Sequence, residues 1–367
     1  MTYLIVGAGL SGAVIAQQIA MKKDSRVIVI DQRDHIGGNI FDYTDDNGVM
    51  VHKYGPHAFH TNNKEVWDYL SQFTKWHLYG HRVKAIIEGI EATLPFNLDT
   101  IYELFPPKQA QKYENKLIET FGYKKKIPIL ELVKTDDKDL KFLGEYVYRH
   151  IFVGYTTKQW GLKPEELDGS VTARVPIYIS RDNRYFQDTY QAIPKDGYTK
   201  MVENILDHPN IEVKLNTKFQ DFDTSGFDKI IFTGMIDEYY DFKYGKLPYR
   251  SLEFDLQTVD SEYFQSLAQI NYPNNYDFTR ITEFKYFLNQ KTDKTTIALE
   301  YPAEYKEGIN DPYYPIPSDV NQANYEKYKQ LAQNDQKTIF AGRLANYIYL
   351  NMDQIVENAL KIVKEKI

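Results

Sequence analysis

"LIVGAGLSG", residues Leu4 to Gly12, decides the first domain of this chain. An apolar run enters a glycine triplet spaced G-x-G-x-x-G, and a helical pattern leaves it. Gly7 permits the tight turn out of a strand, Gly9 lets backbone approach a pyrophosphate, and Gly12 lets helix and strand pack closely. A helix beginning near Ser11 directs unpaired N–H groups and the positive end of its dipole at the phosphates. A second apolar run, "RVIVID", ends at Asp31, about 20 residues beyond the last glycine, where a carboxylate accepts hydrogen bonds from a ribose diol and repels a 2′-phosphate. Strand, triplet, helix and acid together predict a Rossmann-like dinucleotide site.

Asp31 serves NAD and FAD alike, and the stretch after it favours FAD. "DHIGGNIF" places Gly37 and Gly38 just past the second strand. A second glycine turn there can touch the pyrophosphate or ribityl chain of an extended cofactor. The rest of the chain carries no second fingerprint of this kind.

Composition narrows the function. A length of 367 residues predicts two or three domains. Hydrophobic content of 43% and charged content of 26% describe an ordinary globular protein. A net charge of −7 argues against nucleic acid as a partner, since phosphate-backbone binding needs a basic surface. The chain enters a strand at once without a signal-peptide pattern, and no apolar run approaches the ~20 residues that span a bilayer. The expectation is a cytoplasmic protein with no membrane insertion. Cysteine is absent, which removes disulfides, redox pairs, thiolate nucleophiles and cysteine-ligated metals. The eight histidines show no H-E-x-x-H spacing. His57 and His60 in "YGPHAFHT" lack a third ligand, so no metal is expected.

Along the chain, the dinucleotide unit runs to about residue 76, through the amphipathic "KEVWDYLSQFTKW". "LYGHRVKAIIEGIEATL" follows as a meander turning at Gly89. From 97 to 167 the spacing turns helical, with Asn, Asp or Pro at the starts of "NLDTIYELF", "PKQAQKYENKLIETFG", "PILELVK" and "DLKFLGEYVYRHIF". Residues 245–315 alternate like an antiparallel sheet. "TIFAG" reads as a parallel strand returning to the first sheet. Asn351 with Gln354 makes a capping box that starts the last helix at Met352. That helix N-terminus favours the negative charge of a reduced flavin, and Gly342 with Arg343 precedes it in a position suited to phosphate. The fold class expected is α/β. A discontinuous FAD-binding Rossmann-like domain (1–76, 190–244, 316–367) is joined to a helical insertion (97–167) and an antiparallel sheet domain (77–96, 168–189, 245–315).

Only ten arginines occur, and Arg174, Arg280 and Arg343 sit in stretches suited to an anionic ligand. "FVGYTTKQWG", starting at Phe152, reads as an irregular stretch whose aromatics suit stacking on a flat base, worth ~1–3 kcal/mol. Plain aromatic packing is the alternative.

Seven stretches in order, "GAGLSG", "HIGGN", "KYGPHAFHT", "GYTTKQWG", "NRYFQDTYQAIPKDGYT", "TGMIDEYYDFKYGKLPYRSLEF" and "GRLANYIYLNMD", resemble the bacterial UDP-galactopyranose mutases over nearly the whole length. The resemblance implies a flavoprotein isomerase that converts UDP-galactopyranose to UDP-galactofuranose for cell-surface glycans. It implies reduced FAD as the active form, covalent catalysis through flavin N5 without net redox, an outside reductant and a homodimer. Tyr155 would stack on uracil, with Phe152, Thr156 and Trp160 lining the uridine end and Asn271 near the uridine or sugar. Arg174 and Arg280 would clamp the diphosphate, with hydroxyls from Tyr185, Tyr314 and Tyr349. His57 and His60 would lie by the isoalloxazine, and Met352 would give its backbone N–H to the flavin. Leu10, Ser11, Asn39 and Phe219 would join Gly7, Gly9, Gly12, Asp31, Gly38, Gly342 and Arg343 as cofactor contacts. One departure is Asn351, where the family usually carries Asp; a neutral N-cap keeps the helix start. The alternatives are an FAD-dependent oxidase or desaturase of the same fold and a non-catalytic flavoprotein that binds sugar nucleotides.

Overall fold

The apolar runs around the glycine triplet become neighbours in one five-stranded sheet. Its order is Ile211–Lys214, Arg26–Ile30, Thr2–Val6, Lys229–Phe232 and Thr338–Phe340, and every pair in it is parallel. Leu4 stands between Ile28 and Ile230, and Ile231 opposite Ile339. Parallel strands are covered on both faces, which is why these runs are continuously apolar and show no alternation. Leu4, Ile5, Val27, Val29 and Ile231 are wholly buried. The strand at 338–340 therefore returns to the first sheet, as its sequence predicts.

This computed structural model describes residues 1–23, 25–160, 176–316 and 318–367. The chain divides into two units: Met1–Tyr79 with Asp188–Leu252 and Glu304–Ile367, and Gly80–Gln187 with Glu253–Ala303.

In the first unit, the helix Leu10–Lys23 is buried on every side from Leu10 to Ala20. It packs against the helices Met352–Lys366 and Tyr198–Leu206, so it needs no polar face. The helix Tyr198–Leu206 begins after Gly197, which has no capping side chain. Asp42 supplies the cap from a distant hairpin, accepting from Tyr198 N at 2.6 Å and Thr199 N at 2.8 Å. Burial pushes the Asp42 carboxyl above its ordinary pKa, and these N–H donors oppose the shift. Phe59–Thr61, Tyr190–Pro194 and Trp76–Leu78 form a small antiparallel sheet. The helix Asp319–Asn334 was not foreseen from sequence: only Tyr325 and Tyr328 of its sixteen residues are buried, so its polar surface hides the periodicity.

In the second unit, Val83–Ile87 and Ile90–Leu94 pair as a hairpin through Glu88 and Gly89, both at positive φ. The helices Leu98–Leu104, Pro107–Phe121, Ile129–Val133 and Lys138–Val147 share one apolar core with that hairpin. Asn97 caps the first of them and Asp137 the last, each accepting from two backbone N–H groups. The sheet continues from the hairpin to Gln269–Asn271, Arg280–Glu283 and Thr295–Glu304. It is not purely antiparallel: Gln269–Asn271 runs parallel to Val83–Ile87. No turn joins these two strands, so nothing local dictates their direction.

The expected irregular stretch after Phe152 is instead helical. Tyr148–Val153 forms a π-helical turn that runs straight into an α-helix, Gly154–Trp160. A Cβ on Gly154 would strike the Pro273 carbonyl oxygen and stand 2.6 Å from Asn274 Oδ1. Asn274 Nδ2 donates to His150 O at 2.7 Å, engaging a carbonyl of the widened turn. Arg280–Glu283 likewise ends sooner than its alternation predicts, in a 3-10 turn over Phe284–Phe287.

Candidate active site

The first unit carries a cleft at the carboxyl ends of its parallel strands, where open α/β sheets bind ligands. Gly7 sits at φ 107°, and a Cβ there would collide with Thr233 Oγ1. A Cβ on Gly12 would collide with the Gly7 carbonyl oxygen, so this glycine is fixed by helix–strand packing. The two glycine turns also hold each other. Gly9 and Gly37 form a β-bridge, and Gly37 N donates to Ala8 O at 2.9 Å. Gly38 sits at φ 54°, where a Cβ would stand 2.9 Å from Gly9 Cα.

All twelve positions expected to touch the cofactor line this one cleft: Gly7, Gly9, Leu10, Ser11, Gly12, Asp31, Gly38, Asn39, Phe219, Gly342, Arg343 and Met352. Asp31 braces the first turn, accepting from Ala8 N at 2.8 Å, and holds its own segment through Arg33 N at 2.9 Å. Ser11 Oγ, in the first turn of its helix, is buried and has no hydrogen-bond partner. Gly342 faces it, and a Cβ on that glycine would stand 3.4 Å from Ser11 Oγ. A buried, unpartnered hydroxyl at a helix N-terminus between two glycine turns fits an anionic pyrophosphate. At the other end, Gln354 Oε1 accepts from Asn351 N at 2.9 Å and starts the helix at Met352.

Arg343 lines the cleft but also straps the segment before that helix. It donates to Tyr313 O at 3.2 Å and Leu350 O at 2.6 Å, and its guanidinium lies 4.9 Å from the Tyr349 ring centre. Arg33 is a cleft residue that the sequence reading passed over. Its guanidinium donates to Asn39 Oδ1 and pairs with Asp311 at 2.9 Å, 4.4 Å above the Tyr54 ring. The only signal for it was its position two residues past Asp31.

His57 lines the cleft; His60 does not. His57 Nδ1 stands 2.7 Å from Gly55 O, and its backbone N–H donates to His52 Nδ1 at 3.0 Å. Burial pushes the His52 pKa down to about 3, so that ring is neutral and able to accept. His60 Nδ1 stands 2.9 Å from Asp188 Oδ2. Tyr314 and Tyr349 belong to the same unit, their rings edge to face at 6.1 Å, and neither lines the cleft.

The second unit has its own pocket of about 340 Å³, within the size range of small-ligand sites. Phe152, Tyr155 and Thr156 line it from the π-turn and the helix after it, Tyr185 and Asn271 from elsewhere in the unit. Arg280 does not line this pocket. It sits opposite Asn271 in the sheet register, and Glu300 holds its guanidinium by Nε at 2.7 Å and Nη2 at 2.6 Å. Glu300 is 1% exposed. Arg174 lies outside the described residues, as does the Trp160 side chain. Among the described residues no three His, Asp or Glu converge on a metal position, and no helix is long and apolar enough to cross a membrane.

Fold and cleft define a Rossmann-like dinucleotide-binding protein; residues 5–73 match the NAD(P)-binding Rossmann-like domain family. Residues 150–349 match the family described as UDP-galactopyranose mutase. The chain is 40% identical to a Klebsiella pneumoniae protein named "Probable UDP-galactopyranose mutase", covering 99% of this chain and 94% of that one. It is 36% identical to the dTDP-fucopyranose mutase of Escherichia coli, over 98% and 96% of the two chains. A crystal structure of reduced UDP-galactopyranose mutase shares the fold at a TM-score of 0.74 and 16% identity, covering 99% of this chain and 94% of that one. The chain belongs to the UDP-galactopyranose mutase family, a family of isomerases.

Proposed function

We propose that this protein interconverts UDP-galactopyranose and UDP-galactofuranose, using FAD held in the cleft of the first unit. The observation that carries the cofactor reading is the buried, unpartnered Ser11 Oγ facing Gly342, between two glycine turns that leave backbone bare. The chemistry the group supplies when bound is nucleophilic attack by N5 of its reduced form on the anomeric carbon, with no net electron transfer.

The chain's own residues bind, orient and exclude water. Gly9 lets the pyrophosphate approach, with Gly7 and Gly38 holding the two turns beside it, Asp31 takes the ribose diol, and the helix at Met352 offers first-turn N–H groups to an anionic ring. His57, its backbone tied to neutral His52, presents one fixed ring edge to the cleft. In the second unit Tyr155 stacks on the base, and Phe152 and Thr156 close around it. Arg280, held in one orientation by Glu300, receives the diphosphate and stabilises it as a leaving group. Arg174 is proposed as a second phosphate ligand on the family pattern. The product is the furanose that supplies galactofuranose to cell-surface glycans, and a separate reductant keeps FAD reduced.

A second reading has its own support. The full-length kinship with a dTDP-fucopyranose mutase points to a thymidine-linked 6-deoxyhexose undergoing the same ring contraction. The test is one experiment with two substrates. Dithionite-reduced protein is mixed with UDP-galactofuranose or dTDP-fucofuranose, and the pyranose isomer is followed by chromatography. Turnover of the galactose pair by reduced but not air-oxidised protein is expected. Consumption of an oxidant in proportion to product, or equal rates in both redox states, overturns the proposal in favour of an oxidase.

A further inference from the structure

The lining of the second unit's pocket carries one amide held by another. Gln269 and Asn271 are two residues apart on a strand, so both side chains leave the same face while Ile270 enters the other. Gln269 is 5% exposed and Asn271 6%. Gln269 Nε2 donates to Asn271 Oδ1 at 3.0 Å. Of the two, only Asn271 lines the pocket. With one of its two Oδ1 lone pairs engaged by its neighbour, what Asn271 chiefly has to offer a ligand is the pair of N–H donors on Nδ2.

We infer that Gln269 is a positioning residue that fixes the Asn271 amide with its N–H edge toward the pocket, selecting a pyrimidine with a keto oxygen at C4 over cytosine. The inference rests on the proposal that this pocket takes the nucleotide base. A lone asparagine can turn its amide over and offer donor or acceptor to suit the ligand. Here turning Asn271 alone would set its Nδ2 against Gln269 Nε2, two donors facing each other in a buried place, which is unfavourable. The atom it reads follows from depth. The pyrimidine O2 lies beside the glycosidic bond, whereas the C4 edge is farthest from the ribose. A base entering ahead of its ribose brings C4 to the most buried lining residues; Asn271 is 6% exposed and stands in register with buried Ala85, which also lines the pocket. Uracil and thymine offer an acceptor there, and cytosine offers an amine. A site built around a buried donor rejects a ligand that leaves the donor unpaired. The UDP and dTDP in the two relatives' names both carry the 4-keto group.

Calorimetric titration of the full-length, FAD-loaded protein with UDP and with CDP tests this. Wild type is expected to bind UDP at least about tenfold more tightly than CDP. Gln269→Met keeps the volume and removes the donor; it should weaken UDP and bring the UDP-to-CDP ratio to within about threefold. Tyr155→Ala should weaken both nucleotides by the same factor, leaving the ratio intact. A wild-type protein that does not distinguish UDP from CDP overturns the inference without any variant having to fold. So does a Gln269→Met protein that keeps the wild-type ratio. If these failures occur while Tyr155→Ala still weakens UDP, the base-pocket reading stands and only the amide lock falls. If Tyr155→Ala leaves UDP affinity unchanged, the base lies elsewhere and both readings fall together.

Discussion

Gly38→Ala isolates the meeting of the two glycine turns. The residue sits at φ 54°, a left-handed conformation that costs a residue with a Cβ roughly 1–2 kcal/mol. The new Cβ would stand 2.9 Å from Gly9 Cα, and because that neighbour is backbone, no side chain can swing aside. Overpacking of this kind adds about 1–3 kcal/mol. The sum, about 2–5 kcal/mol, falls on the wall of the cleft, since separating the turns stretches the Gly37 N to Ala8 O bond. At 1.4 kcal/mol per factor of ten, FAD binding should weaken at least about thirtyfold. Titrating apoprotein with FAD and following flavin fluorescence reads this directly. Gly89→Ala is the control: it has a similar φ of 83° with nothing within 4 Å of its Cβ, and it lies in the second unit. It should lose roughly 1–2 kcal/mol of stability and leave FAD affinity unchanged. A Gly38→Ala protein that binds FAD within about threefold of wild type would refute the assignment of that turn to the cofactor wall.

Three further outcomes are expected. Tyr155→Ala should weaken UDP by ~1–3 kcal/mol in calorimetry without altering the flavin spectrum; a changed spectrum would mean the helix Gly154–Trp160 props the cofactor instead. Glu300→Gln keeps the shape but drops the charge from the bonds to Arg280 Nε and Nη2. It should lower stability against urea by about 1.5–3 kcal/mol and lower kcat/KM, and an unchanged kcat/KM would show that Arg280 needs no orienting. His52 concerns pH: its folded pKa of about 3 lies below the ordinary 6.5, so the unfolded chain takes up the proton first. Its contribution is complete above pH 6.5 and is lost as pH falls toward 3, up to about 4–5 kcal/mol. Urea midpoints should drop across that window and drop less in His52→Gln; equal slopes in the two proteins would place the acid sensitivity elsewhere.

The parts of the fold that were legible are those in which a local rule agrees with tertiary packing. Asn97 and Asn351 each stand at the N-cap that their spacing announces, whereas the helix expected to start at Asp139 starts one residue earlier and takes its cap from Asp137. The runs at 2–6, 26–30, 229–232 and 338–340 are apolar because both faces are covered. What stayed hidden depends on partners remote in sequence. The helix Gly154–Trp160 begins at a glycine and runs on through Thr156 and Thr157, which reads as a loop until Pro273 and Asn274 are placed against Gly154. The helix Asp319–Asn334 buries too little to show a period. Arg33 acquires its meaning from Asp311, nearly the whole chain away. At the cofactor end the glycines carried most of the signal, because the tight turn at Gly7 and the helix–strand contact at Gly12 leave no room for a side chain. Gln269 carried none, since a glutamine inside a strand has no pattern of its own.

The π-helical turn at Tyr148–Val153 amounts to one surplus residue in the thread of a helix. Each residue of an α-helix advances the chain by about 100° around its axis, so a single extra position turns everything after it by roughly that angle without disturbing what comes before. The helix Lys138–Val147 keeps Leu140, Leu143 and Val147 in the core, while Tyr155 and Thr156 are dialled round to a different bearing and meet the pocket. One codon can therefore aim a binding surface. Removing a residue between 148 and 153 would leave an ordinary helix, Leu140, Leu143 and Val147 still in the core, and a pocket whose aromatic wall faces the wrong way.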